Sequence, residues 1–180
     1  MSNPEFTDVW PLSPMQEGMV FHALYDEGGT DVYVVQHVLN LIGSLDVAAL
    51  KTSWETLLTR HASLRAAFVQ LGSGKLAQVV AGRVELPWRM TDASGLVEEE
   101  ALGHAAAVSA EERERRFDLA VPPLLRFVLV RFASDRHRLV ITHHHILMDG
   151  WSMPVMLREL SATYAASGDG SGLPPVAPYS

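Results

Sequence analysis

The chain has 180 residues, 48% hydrophobic and 19% charged, the composition of one globular domain with its own core. Asp and Glu number 21 against 14 Lys and Arg, a net charge of −7, so the basic surface of a nucleic-acid binder is missing. Cysteine is absent, which excludes disulfides, a thiol nucleophile and thiolate metal sites.

The start, MSNPEFTDVW, has no basic n-region and no apolar h-region, so no signal peptide is expected. No apolar run approaches the roughly 18 residues of a membrane span, and a cytoplasmic location follows as the expectation. In WPLSPMQEGMVFHAL (10–24), Ser13 suits an N-cap, Pro14 the first helical position, and Gln16 completes a capping box. Gly18 is costly inside that helix, and either sits under a close contact or leaves room for a ligand. DVYVVQHVLNLIG (31–43) is rich in β-branched and aromatic residues and reads as a strand. Asp46 then caps a helix through Arg60, with Val47, Leu50, Trp54 and Leu57 as its buried stripe.

LRAAFVQL (64–71), a Gly-Ser-Gly turn and KLAQVVAG (75–82) predict a β-hairpin. Pro87 confines ELPWRMTDAS (85–94) to an edge strand at best. Residues 96–116 predict an Ala/Glu-rich helix, with the acidic residues of VEEEALGHAAAVSAEERERR (97–116) as a solvated face. PLLRFVLVRFAS (123–134) and RHRLVITHHHIL (136–147) form a second strand pair around Ser134–Asp135. The first is apolar almost throughout, as a central strand is. DGWSMPVMLRELSATYAA (149–166) is the last helix, and the Gly/Pro/Ser-rich tail after it reads as a linker. The order β, α, ββ, α, ββ, α predicts an α/β, or α+β sandwich, fold with helices packed on a mixed sheet.

The chemistry concentrates in ITHHHILMDGWS (141–152). Side chains alternate along a strand, so His143 and His145 are expected to share a face and His144 to take the other. A zinc site would then have two of its ligands, and no HExxH or second His/Asp cluster supplies a third. The cluster ends an apolar strand and meets a helix start, where open α/β folds place their chemistry. Histidine is the natural general base near neutral pH. An Asp in the following turn more often holds backbone N–H groups or pairs with an Arg. Gly150 allows a backbone conformation that other residues resist.

His144-His145-Ile146-Leu147-Met148-Asp149-Gly150 matches HHxxxDG, and the chain here resembles the condensation domains of nonribosomal peptide synthetases. RHASLRAAF (60–68) resembles the family's RHxxLRxxF segment, and FDLAVPPLLR (117–126) is also family-like. PLSPMQEGMVFHAL (11–24) resembles the N-terminal motif of members that accept a donor ending in a D-residue.

The resemblance implies a chloramphenicol-acetyltransferase-like fold, as one half of a V-shaped domain. Between the halves runs a tunnel for two phosphopantetheine arms, one from an upstream and one from a downstream peptidyl carrier protein. It implies amide formation between their thioesters, with His145 catalytic or positioning and His144 supporting the fold from the opposite face. Asp149 would be structural, paired with Arg65, with Arg60 as the competing partner. Gly150 and Trp151 would shape the tunnel and the helix start. The family uses no metal, and no cofactor is expected to bind this chain itself. The family domain is much longer than this chain, so residues 1–167 are expected to form its N-terminal subdomain. Residues 168–180 would begin the linker to a missing C-terminal half, and the chain alone would have little or no activity. Three other readings are an epimerization domain with the same HHxxxDG, a non-catalytic carrier-binding module, and a small acyltransferase acting as a trimer.

Overall fold

Among the described residues, antiparallel pairing and one crossover build two sheets from seven strands. The computed structural model describes residues 5–25 and 31–176, without the side chains of Leu24 and Tyr25. Its elements are β1 (Phe6–Trp10), α1 (Pro14–Tyr25), β2 (Val34–Ile42), α2 (Val47–Arg60) and a 3-10 turn (Ala62–Arg65). They continue as β3 (Ala66–Gln70), β4 (Leu76–Ala81), β5 (Trp88–Asp92), α3 (Glu98–Glu114), β6 (Leu125–Ala133), β7 (Arg136–His144) and α4 (Ser152–Ala165).

The expected single mixed sheet is divided in two. The β3–β4 hairpin pairs with β1, a strand the sequence did not announce, to give the order β1-β4-β3. The second sheet runs β2-β7-β6-β5. Its β5 is an edge strand, parallel to β6 and joined to it through α3. Pro87 stands just before β5, its carbonyl accepting from Phe127 N–H at 2.9 Å.

Paired positions on β2, β6 and β7 point to common faces, so the sheet has an odd and an even side. Leu125, Phe127, Leu129, Leu139 and Ile141 form the odd side and pack with Leu50, Trp54 and Leu57 of α2 and Met153, Met156 and Leu160 of α4. The Trp54 and Phe127 rings meet at 4.6 Å. Burial of a ring such as Phe127 contributes roughly 2–3 kcal/mol. On the even side, Val128, Val130 and Val140 pack with Ala101, Ala105 and Val108 of α3. Both faces of β6 and β7 are therefore covered, which is why they read as apolar runs.

The local signals hold. Ser13 and Gln16 exchange both hydrogen bonds of a capping box, at 2.9 and 3.3 Å. The Asp46 carboxylate accepts from Ala49 N–H at 2.9 Å. A Cβ on Gly18 would meet nothing within 4 Å, so of the two roles open to that glycine the close contact falls away. One expectation does not hold. The acidic face of α3 is not wholly solvated. Glu112 is buried, with its carboxylate 2.8 Å from the buried Arg126 guanidinium.

Beyond α4, the Gly-rich segment lies against α2. Thr56 Oγ1 donates to the Gly168 carbonyl at 2.7 Å, and Gly168 has φ 98°. A Cβ there would come within 2.5 Å of Thr52 Cγ2, so only glycine fits. Residues 177–180, the end of the expected linker, lie outside the described residues. No helix among the described residues is long and apolar enough to cross a membrane.

Candidate active site

Strand β7 ends at His144, and the following turn, residues 145–147, leads on toward α4. The three histidines therefore do not alternate as one strand. His143 and His144 do take opposite faces, but His145 has left the strand, and the turn sets its direction.

His143 lies on the odd face, 2% exposed, and stacks on His37 with ring centroids 5.5 Å apart and planes 8° from parallel. Its Nδ1–H donates to the His144 carbonyl at 3.2 Å. Burial pushes its imidazole down to about 4, so it is neutral at pH 7.

His144 is fully buried on the even face. Tyr33 and Phe117 enclose its ring, at 5.9 Å and, edge-on, 6.5 Å. Phe117 is itself braced by the Arg126 guanidinium 3.8 Å above its ring, which gives the FDLAVPPLLR segment its place in the site. Ile146 N–H donates to His144 Nδ1 at 3.1 Å, so the ring proton sits on Nε2. That atom faces Asp31 Oδ2 at 3.4 Å, within ion-pair reach but without the alignment of a hydrogen bond. Burial holds the His144 imidazole below its ordinary range, with Asp31 opposing the shift.

His145 is half-buried. Its backbone N–H donates to the Tyr33 carbonyl at 2.8 Å, extending the β2–β7 ladder by one bond past the strand. Its Nδ1–H donates to the Met148 carbonyl at 3.1 Å. That bond fixes the tautomer and leaves Nε2 with a free lone pair. Adjacent histidines thus hold opposite tautomers, each with a backbone group on its Nδ1.

Asp149 does not pair with Arg65. Its Oδ1 accepts from Trp151 N–H at 3.1 Å, Ser152 N–H at 3.0 Å and Ser152 Oγ–H at 2.8 Å. Those bonds, the Ser152 hydroxyl first among them, hold its carboxyl below the usual carboxylate range. Arg65 instead donates to the Ala81 carbonyl at 2.9 Å and to the Leu58 and Thr59 carbonyls that end α2. Arg60 is taken by Glu159 at 3.1 Å, which His61 shares at 2.8 Å. A cation at a helix C-terminus satisfies orphan carbonyls, and that local demand claims Arg65, while the Glu159 carboxylate of α4 claims Arg60. Gly150 is also corrected: its φ is not positive, and a Cβ would meet nothing within 4 Å. Trp151 is 85% exposed at the start of α4. It edges a cavity of about 350 Å³ with His61, Leu64, Met148, Ser152 and Met156.

Among the described residues no three His, Asp or Glu side chains converge as metal ligands. Sequence reasoning did not find Asp31, Tyr33 or the Met148 carbonyl. No spacing signal ties Asp31 to a histidine more than a hundred positions away.

Comparison with known proteins identifies the family. The family model described as "Condensation domain" matches residues 7–180. A linear gramicidin synthase from Brevibacillus parabrevis is 40% identical over 183 residues, covering 98% of this chain and 4% of that protein. A plipastatin synthase from Bacillus subtilis (strain 168) is 35% identical over 178 residues, covering 98% of this chain and 7% of that protein. The solved first condensation domain of the calcium-dependent antibiotic synthetase, in complex with a substrate analogue, is 25% identical with a TM-score of 0.79. That match covers 95% of this chain and 40% of the solved one, so the chain spans a minor part of each relative. The chain belongs to the condensation-domain family of nonribosomal peptide synthetases.

Proposed function

We propose that this chain is the histidine-bearing, N-terminal half of a domain that forms amide bonds between two carrier-tethered thioesters. The observation that carries this reading is His145. Its Nδ1–H is committed to the Met148 carbonyl, and its Nε2 lone pair stays free at the end of a rigid sheet. A downstream aminoacyl amine attacks the carbonyl of the upstream acyl or peptidyl thioester. The C–N bond forms, the C–S bond breaks, and the upstream pantetheine leaves as its thiol. Nε2 of His145 accepts the amine proton, or orients the amine, and the proton leaves with the thiol. Placement of the amine and proton transfer together supply the acceleration, the latter roughly 10²–10⁴-fold.

In this reading the chain binds no cofactor of its own. Its partners are two peptidyl carrier proteins and a C-terminal half that completes the tunnel, acting together in the cytoplasm. The 11–24 segment supports a donor ending in a D-residue.

The test loads an upstream carrier with a D-terminated dipeptidyl thioester and a downstream carrier with an aminoacyl thioester. This chain is added with and without a separately expressed second half. Intact-protein mass spectrometry then reads the downstream carrier. Amide product is expected only with both halves, and is lost in His145→Ala. Robust product from this chain alone overturns the two-half reading. A changed D/L ratio on the donor without amide product identifies an epimerization domain instead. Neither signal, with both halves folded and associated, identifies a carrier-binding module.

A further inference from the structure

Asp31 is a carboxylate only 6% exposed, placed just before β2. A buried carboxylate is costly unless its oxygens are used. Both are. Oδ1 accepts from Tyr33 N–H at 2.9 Å, and Oδ2 faces His144 Nε2 at 3.4 Å. Each contact leads to His145 by a short route. Tyr33, whose N–H is held by Asp31, gives its carbonyl to His145 N–H at 2.8 Å. His144, whose Nε2–H faces Asp31, gives its Nδ1 to Ile146 N–H at 3.1 Å. The residues before and after the backbone of His145 are thus anchored from one carboxylate.

We propose that Asp31 is a positioning residue for His145, acting through the His144 ring and the Tyr33 backbone. The inference rests on the reading of His145 as the reacting histidine. The other surroundings of the His144 ring, Tyr33 and Phe117, are aromatic faces and edges that hold the ring but do not choose its tautomer. The choice falls to Asp31 and Ile146 N–H. With the proton on Nδ1, His144 would turn an N–H against the Ile146 N–H and present a bare nitrogen to the carboxylate. The turn carrying His145 and the Met148 carbonyl would lose its anchor. A displacement of about 1 Å in a positioned group can cost 10²-fold in rate.

The full chain, labelled with ¹⁵N-histidine, tests this by long-range ¹H–¹⁵N correlation at pH 7.5. The wild type is expected to show His144 protonated on Nε2 and His145 on Nδ1. Asp31→Ala is expected to turn both into mixtures, and Asp31→Asn, whose amide oxygen can still face Nε2–H, to restore them. A folded Asp31→Ala chain with the wild-type His145 signals overturns the proposal. So does a wild-type chain with His144 protonated on Nδ1, a result that needs no variant to fold. With the second half and both carriers, Asp31→Ala should lower kcat by up to about 10²-fold with KM for either carrier unchanged. The ring signals are read without any reaction, so failure of amide synthesis would count against the reading of His145 and not against the link to Asp31.

Discussion

The two ends of β7 handle charge in opposite ways. At the start of the strand, Arg136 forms a bidentate pair with Glu98 at 2.9 and 2.8 Å, and Arg138 donates to Asn40 at 3.0 Å. Both guanidiniums lie over the Phe132 ring, at 5.4 and 5.3 Å. These contacts are short, and water covers them. At the other end His143 and His144 are buried, and burial holds both neutral at pH 7. Their contacts are longer, and protein covers them. Contact length is thus a poor guide to which end governs stability. Desolvation decides, because a buried group must keep the protonation state its surroundings were built for.

Acid should break the histidine end first. His143 titrates near 4 in the folded chain against its ordinary 6.5 unfolded. Between those values the unfolded chain binds more protons, so stability falls as the pH drops through the window and is fully present above it. His143 alone accounts for a loss of roughly 3 kcal/mol by pH 4, a large share of the 5–15 kcal/mol of an ordinary domain. Burial lowers His37 and His144 at this end as well, so the loss is steeper. Urea unfolding at pH 7, 5.5 and 4.5 measures it. His143→Phe keeps a ring stacked on His37 and removes the titration, so its curve should be flatter. A parallel curve would show that His143 titrates as it does in water.

Asp149 sharpens the comparison, because it is an exposed carboxylate whose work is local. Asp149→Ala should cost about 1 kcal/mol, the value of a lost helix-start acceptor, and should loosen the turn that carries the Met148 carbonyl. Arg65→Ala should act separately, by freeing the carbonyls at the end of α2. In a double-mutant cycle read by urea unfolding, the two should add within about 0.5 kcal/mol. A coupling well above that would restore the Asp149–Arg65 pair that the structure replaces.

That pair shows where sequence reading fails here. Signals that act within a few residues are legible: the Ser13–Gln16 box, the Asp46 cap, the Gly-Ser-Gly hairpin and the buried stripe of α2. The even and odd faces of β6 and β7 are legible as apolar runs. The HHxxxDG string locates the site itself. What stays hidden is settled by distant chain. The hairpin chooses β1 over the larger sheet, and nothing in FTDVW marks that choice. Alternation on paper gives His145 a strand face, whereas the strand ends one residue earlier. Arg65 looks free to pair with Asp149 because the carbonyl ends of α2 do not appear in a string of letters. Asp31 carries no motif, and only the pairing of β2 with β7 brings it to His144.

The smallest effect lies at the arginine end, and it is the sharpest control. Glu98→Gln breaks a short bidentate pair between α3 and β7, so a count of short contacts would rank it among the most damaging changes. Both side chains are largely exposed, at 45% for Arg136 and 61% for Glu98. Holding two long side chains in register costs rotamer entropy, and at physiological salt a Debye length of about 8 Å screens what attraction is left. Arg136 also keeps its stacking on Phe132 after the change. Thermal melts of Glu98→Gln at physiological salt should overlay the wild type, with a small drop at low ionic strength. A drop that persists in high salt would mean that this pair is shielded from water after all. The two ends of β7 would then differ only in degree.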